Sequence, residues 1–144
     1  MSSHHVDANC IFCKIIKDAD DVYRSSICLK KKSRFSFFDI GPLSKGHALV
    51  IPKHHGAKLH DIPDDSLTEL LPIAKKIAQA VGATDYNILQ NNGRIAHQEV
   101  DHVHVHMIPK PKAGDDEGLV VGWPAQKANM EELKAFVEEI KNKL

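Results

Sequence analysis

Residues 102–109 read His-Val-His-Val-His-Met-Ile-Pro, and no other stretch constrains the fold as much. Apolar and imidazole side chains alternate with period two, the period of an extended strand. Val103, Val105 and Met107 then share one face, and His102, His104 and His106 the other. The first face is suited to a core. On the second, a rise of ~3.3 Å per residue spaces successive imidazoles about 7 Å apart. Three readings of such a row are open. It can ligate a metal, for which histidine is the commonest side chain. It can carry out nucleophilic catalysis at phosphorus, because a neutral imidazole with an ordinary pKa of about 6.5 is a usable nucleophile. A neighbouring histidine then supplies a proton or a donor for the phosphate oxygens. Or it is a polar sheet face without chemistry.

The rest of the chain supplies partners for this strand. Residues 100–109 and 86–90 read as strands, as do 22–24, 27–30, 34–38 and 47–52. The last of these is nearly all apolar, as a central strand would be. Residues 10–17 suit a short amphipathic helix. Residues 64–81 form the clearest one, with Leu67, Leu70, Leu71, Ala74, Ile77, Ala78 and Val81 at helical spacing. Gly82 ends it, and Pro72 inside it implies a kink or a late start. Asn129, with Glu132 three residues on, marks the start of a final helix. Residues 110–127 read as loop. Strands grouped apart from helices indicate an α+β fold with a mainly antiparallel sheet. Residues 1–8 read as a disordered start, and 9–144 as one domain with a C-terminal extension over 110–144.

At 144 residues a single domain is expected. Lys plus Arg (19) balances Asp plus Glu (19), so no basic footprint for nucleic acid is present. Lys30, Lys31 and Lys32 read as a solvated hairpin tip. No stretch approaches the ~20 apolar residues of a membrane span, and no apolar leader opens the chain. A cytoplasmic protein, able to be nuclear, is expected. Three cysteines suit a reducing compartment, with Cys28 as a buried strand residue. Cys10 and Cys13 form a C-x-x-C, which reads as a redox pair, as packing, or as half of a zinc site.

Residues 98–108, Gln-Glu-Val-Asp-His-Val-His-Val-His-Met-Ile, closely resemble the signature of the histidine-triad (HIT) hydrolases, Hint branch. Four further segments stand in the same order and spacing: residues 10–16, 37–40, 45–53 and 90–93. The resemblance implies a HIT-like fold: a five-stranded, mainly antiparallel sheet, one long helix and a C-terminal helix. It implies a purine nucleoside phosphoramidase that releases a nucleoside monophosphate through a nucleotidyl-histidine intermediate. His104 would be the nucleophile, His106 the residue beside the phosphate oxygens, and His47 their support on the adjacent strand. Asp39 would hold the ribose hydroxyls. Ile11, Phe12, Ile15, Phe38, Ile40 and Leu49 would line the base slot, with Asn91 and Gln98 near the phosphate. A carboxylate can accept both ribose hydroxyls, and apolar walls suit a flat purine.

Glu99 departs from the Ser or Thr common among relatives, and an ionised glutamate cannot donate to phosphate; a backbone amide there still can. His97 replaces a small residue. A subset of the family carries a structural zinc, implying Cys10, Cys13, His55 and His102 as ligands, with no metal needed for the chemical step. The resemblance also implies an AMP-like ligand and a homodimer built on a continuous sheet. A dinucleoside polyphosphate hydrolase and a nucleotide-binding regulatory protein with vestigial activity are the alternatives. A metalloenzyme holding one ion on all three histidines is a further one.

Overall fold

A computed structural model describes residues 5–18 and 34–144. The strands expected at 22–24 and 27–30, Cys28 and the Lys30–Lys32 tip lie outside the described residues. Within them are helix α1 (Ile11–Asp18), strands β1 (Arg34–Phe38) and β2 (Ala48–Pro52), a short helix α2 (Asp64–Leu67), and helix α3 (Leu70–Val81). Strands β3 (Tyr86–Leu89) and β4 (Val105–Pro109) and helix α4 (Met130–Lys141) follow. The described strands form one sheet in the order β1-β2-β4-β3, all pairs antiparallel. The α+β expectation holds, with four strands among the described residues instead of five.

Register assigns the two faces. Leu49 lies opposite both Phe37 and His106, while Ala48 lies opposite Phe38 and Met107. Because strand side chains alternate, Ala48, Val50, Val105 and Met107 turn together toward α3. There they meet Leu70, Ile73, Ala74, Ile77 and Ala78, an i, i+3, i+4, i+7, i+8 stripe. Leu71 falls off that stripe and is exposed. The other face carries Leu49 and Ile51, covered by Phe12, Ile15 and Ile16 of α1 and by Phe37. Each such fully buried aliphatic or aromatic side chain contributes roughly 1.5–3 kcal/mol.

Two expected elements are shorter than their sequence patterns. The helix over 64–81 is interrupted at 68–69. Pro72 has no N–H to give the preceding turn, so it sits in the first turn of α3, where no intrahelical donor is required. Gly82 caps the other end in the left-handed region, at φ 75°, with its N–H on Ala78 and Gln79 carbonyls. The strand over 100–109 becomes a ladder only from Val105. Before that, the Val103 N–H bonds the Gly56 carbonyl and the His102 N–H bonds the Val100 carbonyl. The chain is thereby drawn toward the loop after β2.

Backbone hydrogen bonds reach residues 5 and 7. The His55 N–H donates to the His5 carbonyl at 2.8 Å, and the Cys10 N–H to the Asp7 carbonyl at 3.2 Å. At the far end, the Asn129 side chain accepts from the Glu131 and Glu132 amides and caps α4. No residue of α4 is buried. No described helix is long and apolar enough to cross a membrane.

Candidate active site

Four imidazoles are gathered along the α1 side of β2 and β4, and their partners assign their tautomers. The Leu43 N–H donates to His47 Nδ1 at 3.1 Å. A neutral His47 then carries its proton on Nε2, which lies 2.9 Å from His106 Nδ1. That bond makes His106 Nδ1 an acceptor and leaves the His106 proton on Nε2, as a donor for something else. His104 is set oppositely. Its Nδ1–H donates to the His102 carbonyl at 2.6 Å, so its Nε2 holds a free lone pair. The His104 and His106 rings stand 4.9 Å apart at 65°, closer than the ~7 Å expected of a regular strand, since His104 precedes the ladder.

All three rings are neutral at pH 7. Burial lowers His47, against a smaller opposing pull from Asp39. Burial also lowers His104, opposed by its bond to the His102 carbonyl and by the Asp39 and Glu99 charges. His106 is pushed down to about 4, by burial first and then by His104 and His47. Asp39 Oδ2 lies 3.8 Å from His47 Nε2. Its Oδ1 accepts from the Gly41 N–H at 2.8 Å, so one oxygen is set by the turn and the other faces the histidines.

The expected base-slot residues separate. Phe12, Ile15 and Leu49 come together on the α1 side, and the Phe12 ring meets His104 edge-on at 5.2 Å. Phe38 does not join them, because alternation turns it toward the α3 core. Phe37, one residue earlier, occupies the expected place, 6.0 Å from Phe12. The register with Leu49 places it there. Ile11 and Ile40 are exposed, Ile40 completely.

Gln98 is not free for a ligand. Its side chain is buried, accepting from the Gly93 N–H and donating to the Ala57 carbonyl, both at 2.6 Å. It braces the turn that holds Asn91, whose amide donates to the His97 carbonyl at 3.2 Å. His97 adopts a left-handed φ of 63°. The Glu99 carboxylate is exposed, and its carbonyl accepts from Arg94, which also pairs with Asp101 at 3.1 Å. Arg94 has no pattern in the sequence that marks it.

Cys10, Cys13, His55 and His102 form a second site beneath the first. His102 donates its Nε2–H to the Pro52 carbonyl at 2.9 Å, leaving the Nδ1 lone pair inward. Facing it are Cys10 Sγ at 3.4 Å, Cys13 Sγ at 3.6 Å and His55 Nδ1 at 3.3 Å, with Cys13 Sγ 3.5 Å from His55 Nδ1. One lone pair cannot bond three neighbours. Zinc–sulfur and zinc–nitrogen bonds of ~2.3 and ~2.0–2.1 Å imply tetrahedral edges of roughly 3.6 Å (N–S) and 3.4 Å (N–N). The donor set and its spacing fit a tetrahedral metal. Asp39, His47 and His106 also cluster, but the facing nitrogens of His47 and His106 are committed to each other, and this group fits a metal poorly.

The HIT domain profile matches residues 21–113. The chain belongs to the HIT family. This HIT protein is 52% identical over 139 residues to the Saccharomyces cerevisiae adenosine 5′-monophosphoramidase HNT1, covering 96% of this chain and 85% of that one. It is 53% identical over 137 residues to the Schizosaccharomyces pombe adenosine 5′-monophosphoramidase hnt1, covering 94% and 98%. Among solved structures, the histidine triad nucleotide-binding protein of Candida albicans superposes with a TM-score of 0.82 at 46% identity, over 94% of this chain and 96% of that one. A HIT family member from Bacillus subtilis gives 0.78 at 35% identity, over 94% and 97%.

Proposed function

We propose that this HIT protein hydrolyses adenosine 5′-monophosphoramidate-type substrates to AMP, with His104 as nucleophile. The observation that carries the reading is the tautomer pattern: His104 with a free Nε2 lone pair beside His106 with a free Nε2–H. The His104 Nε2 lone pair attacks the α-phosphorus. The new N–P bond replaces the P–N bond to the leaving amine, which takes a proton from solvent as it departs. His106 Nε2–H donates to the phosphate oxygens, where charge develops. Water then attacks the same phosphorus, breaks the N–P bond to His104, and releases AMP. Asp39 holds the ribose hydroxyls, and Phe12, Phe37 and Leu49 pack the apolar side of the base slot. The activity for which the two yeast relatives are named supports this substrate class.

The test is turnover of adenosine 5′-monophosphoramidate beside a diadenosine polyphosphate, with His104→Ala alongside. AMP release from the first substrate, and a loss of at least ~100-fold in the variant, are expected. An unimpaired variant refutes the nucleophile assignment, and preference for the polyphosphate refutes the substrate class.

The tetrahedral group is read as a structural zinc site. Zinc there supplies cohesion, with four protein donors and no open position. It joins the start of α1 to the loop after β2 and to the segment leading into β4. A homodimer is read from the edge strand β3. Tyr86 and Ile88 are exposed on it beside Leu71 and Pro72 of α3. Among the described residues β3 pairs only with β4, and an edge with an apolar face invites a second copy.

A further inference from the structure

Of the two histidines in the tetrahedral site, one has its orienting partner in the fold's interior. His102 gives its outer N–H to the Pro52 carbonyl. His55 offers Nδ1 to the same site, and its outer nitrogen faces a different kind of group. The Asp7 carboxylate lies there, with Oδ2 3.7 Å from His55 Nε2. Asp7 lies forty-eight residues before His55, and two other contacts hold it in place. Its Oδ1 accepts from the Asn9 N–H at 2.8 Å. Its carbonyl accepts from the Cys10 N–H at 3.2 Å. One residue therefore turns the chain into the first cysteine and sets a charge behind a histidine of the same group.

We propose that Asp7 is a positioning residue for the metal, fixing His55 as the Nε2–H tautomer so that Nδ1 is the donor. The chemistry is general. A metal-bound imidazole that gives its other N–H to a carboxylate is held in one tautomer and orientation and is the stronger base, and removing such a partner costs ~10–100-fold in metal affinity. The inference rests on the zinc reading above and adds a residue to it. Asp7 is partly exposed, so solvent screening places its effect toward the lower end of that range.

The experiment uses the full chain. Zinc content is measured by elemental analysis, zinc affinity by competition with a chromogenic chelator, and the cobalt(II)-substituted protein is examined for thiolate charge-transfer absorption. Wild type, Asp7→Ala, Asp7→Glu, His55→Ala and the double variant Asp7→Ala/His55→Ala are compared. Wild type is expected to hold one zinc per chain. A content under ~0.2 contradicts the four-ligand site itself and is read before any variant. Asp7→Ala is expected to weaken zinc about tenfold while keeping the cobalt–thiolate bands, and Asp7→Glu to recover part of the loss. In the His55→Ala background, the same Asp7→Ala change is expected to cost less than twofold. Wild-type affinity in Asp7→Ala overturns the proposal. A loss that persists undiminished without His55 also overturns it, because Asp7 would then act only through the turn into Cys10.

Discussion

Replacing His47 by leucine tests the tautomer chain, because it removes the middle of that chain and leaves both ends in place. Two hydrogen bonds disappear, one from the Leu43 N–H at 3.1 Å and one to His106 Nδ1 at 2.9 Å. Each is worth ~1 kcal/mol net, and leaving a partner group unpaired adds about 1 kcal/mol. Leucine restores some apolar burial at this buried position, so the expected destabilisation is about 2–3 kcal/mol. For a chain of this size that lowers Tm by roughly 5–10 °C. The catalytic effect is separate and smaller. Without a donor on Nδ1, His106 is free to adopt either tautomer. A bias of ~1 kcal/mol corresponds to about a fivefold change in population, so kcat/KM on adenosine 5′-monophosphoramidate is expected to fall about five- to tenfold. Glutamine at the same position can accept with its oxygen and donate with its nitrogen, and is expected to keep more of both properties. The assays are thermal unfolding by circular dichroism and steady-state turnover. If glutamine proves as damaging as leucine, or leucine leaves turnover intact, the relay from Leu43 to His106 is not what sets the site.

Stability is expected to depend on acid in one direction. His106 in the folded chain sits at about 4, against an ordinary 6.5. Between those values the unfolded chain binds the proton and the folded chain does not. This contribution is therefore full above about pH 6.5 and is lost as pH falls toward 4. Denaturant midpoints for wild type and His106→Gln check it; an equally steep decline in the variant would remove His106 as a source. For the sheet edge, Ile88→Lys is expected to halve the particle mass seen by light scattering, and a monomeric wild type refutes the dimer. Gly46→Ala is expected to cost about 1–3 kcal/mol, since its φ is +89° and a Cβ would stand 2.7 Å from Val81. An unchanged denaturant midpoint would show that the turn relaxes.

Much of this architecture is legible in the sequence because a few patterns are strict. Period two over 102–109 placed the valines in the core and the histidines opposite. The α3 stripe and the Gly82 cap follow from helical spacing and the left-handed preference of glycine. The features that the sequence leaves hidden share one cause: contacts distant in sequence. Parity alone separates Phe37 from Phe38, but only the register with Leu49 and Ala48 shows which faces α1. Gln98 looks like a ligand because it is polar beside a catalytic motif, whereas its amide is consumed by Gly93 and Ala57. The premature end of the strand before Val105 depends on Gly56, some fifty residues away. Asp7 carries no motif, and its role is visible only once His55 lies beside it.

Helix α1 is eight residues long, well short of the ~12–15 at which an isolated helix becomes even marginal in water. Its place must come from what grips it. Phe12 meets His104, the proposed nucleophile, while the adjacent Cys13 points into the tetrahedral group. Trimming the first residues, fusing a bulky tag just ahead of residue 5, or oxidising the thiol pair is therefore expected to be felt at His104, although none of them touches it.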